Sequence, residues 1–201
     1  MLVFIQERRR FFIIASASIF MVVLTIAGSI YANIYINKKA EALMYDASVE
    51  YYQDTKYNKA LELYNQVVTK YPRTKSAPLA QFGVGNSYYK MGDFDNAIKS
   101  YRVFIDRYHK VTWLLPLVYH KMGYAYLRVG DTSKAIESFE LASRSEECGI
   151  RDLCYLEIAR IYESIGEKGN AIKNYQVIVE KFPFSPWLTE ASESIKRLKK
   201  D

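Results

Sequence analysis

The stretch Lys70–Tyr108, KYPRTKSAPLAQFGVGNSYYKMGDFDNAIKSYRVFIDRY, decides how the chain folds, because its pattern returns on both sides at nearly constant spacing. Val84, Gly85 and Tyr88 fall on one helical face, Met91-Gly92-Asp93 makes a turn, and Ala97, Tyr101 and Phe104 resume at helical spacing. Apolar residues at a helical period, a glycine turn and the same period again predict a helical hairpin.

Set against itself, the chain places Ala60, Ala97, Ala135 and Ala171 in equivalent positions, with steps of 37, 38 and 36 residues. Four units follow. Four residues after each alanine stands an aromatic (Tyr64, Tyr101, Phe139, Tyr175), and nine before it a tyrosine (Tyr51, Tyr88, Tyr126, Tyr162). Twelve before it the residue is always small: Ser48, Gly85, Gly123 or Ala159. A small residue lets two helix backbones approach, and rings fill the wider gap a turn away.

These positions resemble the tetratricopeptide repeat family, whose unit of roughly 34 residues has small residues, aromatics and a closing proline at corresponding places. Pro72 and Pro183 match that proline, whereas His109 and Glu147 replace it in the middle units, and the family tryptophan is Met44, Gln81, Tyr119 and Tyr155 here. The resemblance implies an all-α solenoid of four hairpins, about residues 41–74, 78–111, 116–149 and 152–185. Trp187, Leu188, Ala191, Ile195 and Leu198 make an apolar stripe that predicts a capping helix over 186–200. The basic Lys196, Arg197, Lys199 and Lys200 read as its solvated, dipole-favoured last turn. Gly92-Asp93, Gly130-Asp131 and Gly166-Glu167 turn three hairpins and Asp54-Thr55-Lys56 the first, while Thr74 and Ser185 are candidate N-caps.

Ahead of the repeats, Phe11 to Asn37 carries no charge, and Phe11 to Ala32 is almost wholly apolar. Those 22 helical residues rise ~33 Å, enough for a bilayer core of ~30 Å. The expectation is a short cytoplasmic N-terminus (1–10), a transmembrane helix (11–36) with Tyr31 and Tyr35 at the far headgroups, and the solenoid over 37–201. Arg8-Arg9-Arg10 before the span outweigh Lys38-Lys39 after it, which favours an inside N-terminus: a single-pass protein of the bacterial inner membrane with its repeats in the periplasm. A cleaved signal peptide is the competing reading, since Ala27-Gly28-Ser29 offers small residues after an apolar run. Its core would be longer than usual, because the run continues through Ile30, Tyr31, Ile34 and Ile36. No cysteine follows the run, so a lipoprotein anchor is excluded within this sequence.

The formal charge of +6 is largely N-terminal. Without Arg8–Arg10, Lys38, Lys39 and Glu7, residues 40–201 hold 23 basic and 21 acidic residues, which gives nucleic-acid binding no support. GxxxxGK[ST], HExxH, CxxC and GxGxxG motifs are lacking, so neither catalysis, a cofactor nor a metal is expected. The resemblance instead implies a concave groove that takes a protein or peptide partner, oligomeric state left open. Carried over by alignment, it is lined by Tyr45, Val49 and Tyr52, then Phe82, Asn86, Tyr89 and Lys90, then His120, Tyr124, Leu127 and Arg128, then Leu156, Arg160 and Glu163. The Tyr-Pro-x-Thr/Ser connection resembles repeats of periplasmic proteins that serve outer-membrane protein assembly, envelope constriction and the secretion translocon. The two cysteines, Cys148 and Cys154, have a spacing that permits a disulfide if Cys148 curls back on the next helix, or leaves Cys154 as a small apolar residue.

Overall fold

The computed structural model describes residues 2–146 and 148–200, the side chains of residues 2–11 and 14 apart. Glu147 and the side chains of Arg8–Arg10 therefore lie outside the described residues. Among the described residues nine helices follow one another: α1 (Leu2–Tyr52), α2 (Tyr57–Lys70), α3 (Ser76–Lys90), α4 (Phe94–Tyr108), α5 (Leu115–Arg128), α6 (Thr132–Ser143), α7 (Arg151–Ser164), α8 (Lys168–Lys181) and α9 (Leu188–Leu198). The C-terminal part of α1 pairs with α2, and α3/α4, α5/α6 and α7/α8 are the remaining hairpins, each packed on the next.

Local chemistry sets the turns. Gly92, Gly130 and Gly166 adopt φ near +80°, a left-handed conformation that costs glycine nothing, and Thr55 takes the corresponding place in the first hairpin at φ 51°. Asp93 and Asp131 then cap α4 and α6, their carboxylates accepting from the Asn96 and Lys134 amides. Thr74 does not act as a cap, because its hydroxyl donates to the Tyr71 carbonyl, 2.8 Å away, and α3 begins at Ser76. Ser185 accepts from the Trp187 amide at 3.1 Å and so braces the turn before α9.

The repeat alanines are wholly buried, and so are the aromatics four residues on. Each of three of those rings faces a small residue. A Cβ on Gly85 would stand 2.4 Å from the Tyr101 ring, one on Gly123 2.8 Å from Phe139, and one on Gly83 2.7 Å from Tyr64 of the preceding hairpin. The apolar clusters that result are continuous along the solenoid: Tyr88 packs against the first two and Tyr162 against the last two. Helix α9 closes the far end with Ala191 and Leu198 buried and Trp187 and Ile195 half-buried.

Helix α1 passes without a break from the apolar run into the first hairpin. Its run is exposed over most of the described part, with Phe12 67 %, Ile19 65 % and Phe20 62 % accessible, and is long and apolar enough to cross a membrane. The helix itself satisfies hydroxyls inside the run, Ser16 donating to the Ile13 carbonyl and Thr25 to that of Val22. Cys148 and Cys154 are free thiols in this structure. Cys154 is a wholly buried member of the core, and burial pushes its thiol up to about 12.

Candidate peptide-binding groove

Part of the predicted lining comes together along α1, α3 and the start of α5. Tyr52, Phe82 and Asn86 meet there, together with Met44, Ser48, Leu79, Trp113 and Leu117, around an open groove of about 250 Å³. Toward the N-terminal end of the solenoid, the same face opens into a second groove of about 680 Å³, which shares Met44, Ser48 and Leu79 and adds Tyr45, Asn37, Lys38, Glu41 and Lys75. Tyr52 and Tyr45 are 73 % and 69 % exposed, and Trp113 60 %, so rings line the face without being consumed by the core. Asn86 accepts a 2.8 Å hydrogen bond from the Tyr101 hydroxyl, which fixes the amide's orientation and leaves its N–H₂ group as a donor.

Other predicted groove residues are placed differently. Val49 turns toward the α2 side, beside Lys59 and Leu63. Tyr89 packs edge-on against Phe94 at 5.3 Å, and Arg128 covers the same ring at 4.9 Å, so α3, α4 and α5 share one aromatic-cationic stack. Lys90 is exposed at the end of α3, and Leu127 is half-buried against the core. His120 is buried, contrary to a groove position: its ring stacks on Tyr124 and Phe139, its Nε2 has no hydrogen-bond partner, and burial pushes the imidazole down to about 4. Tyr124 is half-buried in that same stack, its hydroxyl held well above the usual phenol range by burial and by Glu157.

The fourth unit departs most. Leu156 is wholly buried. Arg160 pairs with Glu190 at 2.7 Å and with Glu157 at 3.2 Å, and Glu163 accepts from Arg197 and from the Tyr175 hydroxyl. The Arg197 hydrogen bond, ahead of the Tyr175 one, holds the Glu163 carboxyl below its ordinary range. Helix α9 thus occupies the place where a fifth hairpin would stand, and these side chains hold it. The groove belongs to the first three hairpins.

Comparison with family models decides the relationship. The model described as YfiO, outer membrane lipoprotein, matches residues 37–201. The chain belongs to the YfiO family. The match begins where the apolar run of α1 ends and covers the whole solenoid. No curated protein matches the YfiO-family chain in sequence. Its solenoid is similar in structure to MamA (19 % identity, 80 % of this chain and 81 % of that one, TM-score 0.65). It is also similar to a P. anserina kinesin light chain of nearly identical TPR-like repeats (19 % identity, 82 % and 87 % coverage, TM-score 0.62). A third likeness is to PilW, a type IV pilus biogenesis factor (14 % identity, 76 % and 67 % coverage, TM-score 0.63). The tetratricopeptide reading of the repeats is therefore correct as to fold.

Trp113 does not follow from the repeat positions, whereas Leu79 and Leu117 share one, 18 residues before Ala97 and Ala135, a place not among the groove positions carried over above. Trp113 sits in the α4–α5 connection, which has no fixed repeat position, between the apolar Val111 and Leu114 that join the core.

Proposed function

We propose that this YfiO-family chain is a non-enzymatic, membrane-anchored scaffold of the bacterial cell envelope, holding a segment of another polypeptide in the groove of its first three hairpins. The observation that carries this reading is the aromatic lining, exposed at Tyr52 and Trp113 and half-buried at Phe82. Tyr52, Phe82 and Trp113 present rings around a cleft with Asn86 as a placed donor, and apolar surface of this kind is what a bound chain would cover. The solenoid holds that surface in one shape, so binding does not also have to order the groove's backbone. The family is described as outer membrane lipoproteins, and PilW serves pilus biogenesis, both of which support an envelope role.

Anchoring rests on the exposed apolar run of α1. This sequence has cysteines only at 148 and 154, so no thiol stands near the run to carry a lipid, and the helix itself takes the anchor's part. The topology that fits has Arg8–Arg10 in the cytoplasm and the repeats in the periplasm. The second reading, a soluble periplasmic adaptor released by cleavage near Ala27-Gly28-Ser29, would leave Ile30, Tyr31, Ile34 and Tyr35 exposed on the stub, as they are in α1. N-terminal sequencing of the mature protein separates the two.

The groove is tested by substitution. Tyr52→Ala with Trp113→Ala should weaken capture of the native partner by over ~100-fold if each ring is a hot spot, with the helical circular dichroism near unchanged. Changing the outward-facing Lys134 and Lys173 should leave capture intact. The reverse result would move the binding surface to the convex side.

A further inference from the structure

Where the apolar run ends, the second connection of the solenoid folds back against it. Helix α2 ends at Lys70 and α3 starts at Ser76, and between them the Lys75 amide donates to the Asn37 side-chain oxygen at 3.3 Å. Asn37 is five residues beyond Ala32, so in an upright helix it sits ~7 Å past the hydrocarbon edge, inside a headgroup layer of about 5–8 Å. The α2–α3 connection is thereby tied to α1 at headgroup depth. It carries Lys70, Arg73 and Lys75, all exposed and with no acidic neighbour between them in sequence. Lys38 shares a groove with Lys75, and Lys39 lies over the Tyr35 ring at 4.7 Å, on the interfacial side of the same helix. Glu41 is the one acidic residue lining that groove among the described residues.

We propose that Lys38, Lys39, Lys70, Arg73 and Lys75 form one juxtamembrane surface that docks the solenoid on anionic phospholipid headgroups and fixes its orientation against the bilayer. Clusters of four to eight basic residues beside a span are drawn to anionic lipid, each contributing modestly and together enough to hold a domain. A continuous helix with no Gly/Pro linker transmits that contact to the whole solenoid, which would turn the groove's wider opening toward the membrane surface. The inference rests on the membrane-anchored reading but not on which way the span points, because the five residues lie on one side of it in either orientation.

Lysine footprinting of the full-length chain in nanodiscs tests it. With amine acetylation read by mass spectrometry, Lys70 and Lys75 should react at least about fivefold more slowly in discs containing phosphatidylglycerol than in phosphatidylcholine discs, an effect erased at high salt. Lys99 and Lys173, on outer helices, should react equally in both. Failure of the chain to co-elute with either disc would overturn the anchoring and the docking together. Co-elution with equal rates at Lys70 and Lys75 would overturn the docking alone. Equal protection in phosphatidylcholine discs by added inorganic phosphate would mark a free-anion site and overturn the assignment to lipid.

Discussion

The ring of Tyr101 lies across the backbone of Gly85 at a distance that no side chain fits: a Cβ on the glycine would come within 2.4 Å of Cε1. The same arrangement recurs at Gly123 and Phe139, so in the α3/α4 and α5/α6 hairpins the closeness of the two helices is set by one missing methyl group under one buried ring.

Replacement of Gly85 by alanine should therefore destabilise the solenoid, because Tyr101 is fully buried and has no room to withdraw. Overpacking costs ~1–3 kcal/mol, which for a chain of this length corresponds to a fall in Tm of about 2–12 °C. Gly169→Ala is the control: nothing lies within 4 Å of the place its Cβ would take and it sits inside α8, so the change should be neutral or stabilising by up to ~1 kcal/mol. Thermal melts of the two variants distinguish close packing from a general intolerance of alanine.

The repeat was legible because burial selects size so strictly at these places. Ala60, Ala97, Ala135 and Ala171 and the four rings after them are all buried, so a larger residue at the alanine positions would hold the hairpins apart. The groove was legible only in part. Tyr52, Phe82 and Asn86 follow from the repeat, but a repeat position does not say which neighbouring rings close over it, and at His120 the ring is covered by Tyr124 and Phe139 of its own hairpin. Arg160 and Glu163 read as donors and acceptors for a partner, yet they are met by Glu190 and Arg197 of α9, 30 and 34 positions along the chain. Sequence spacing within a repeat carries no sign of that closure.

Acid should weaken the fold through His120. Its folded pKa, pushed down to about 4 by burial, lies below the ordinary value of 6.5, so the native state refuses a proton that the unfolded chain accepts. Stability is fully present above pH 6.5 and falls as pH drops toward 4, by about 2 kcal/mol between pH 6.5 and 5. His120→Phe keeps the ring stack and should flatten chemical-denaturation midpoints over that window. An unchanged pH dependence in the variant would show that other groups govern it.

Thiol chemistry separates the two cysteines. Half-buried Cys148 should react with a thiol reagent in the native protein at neutral pH, whereas Cys154, wholly buried and with its thiol near 12, should stay inert until the chain unfolds. Two equivalents are expected in denaturant without reductant. A count of zero there would restore the disulfide that the spacing permits.

Whether a polypeptide occupies the groove of the first three hairpins is best decided by photo-crosslinking in native membranes. A photoreactive amino acid at Phe82 or Trp113 should give a discrete adduct to one polypeptide, identified by mass spectrometry, while the same probe at Lys173 on the outer face of α8 should give none. Adducts at Lys173 with none at Phe82 or Trp113 would contradict occupation of the groove.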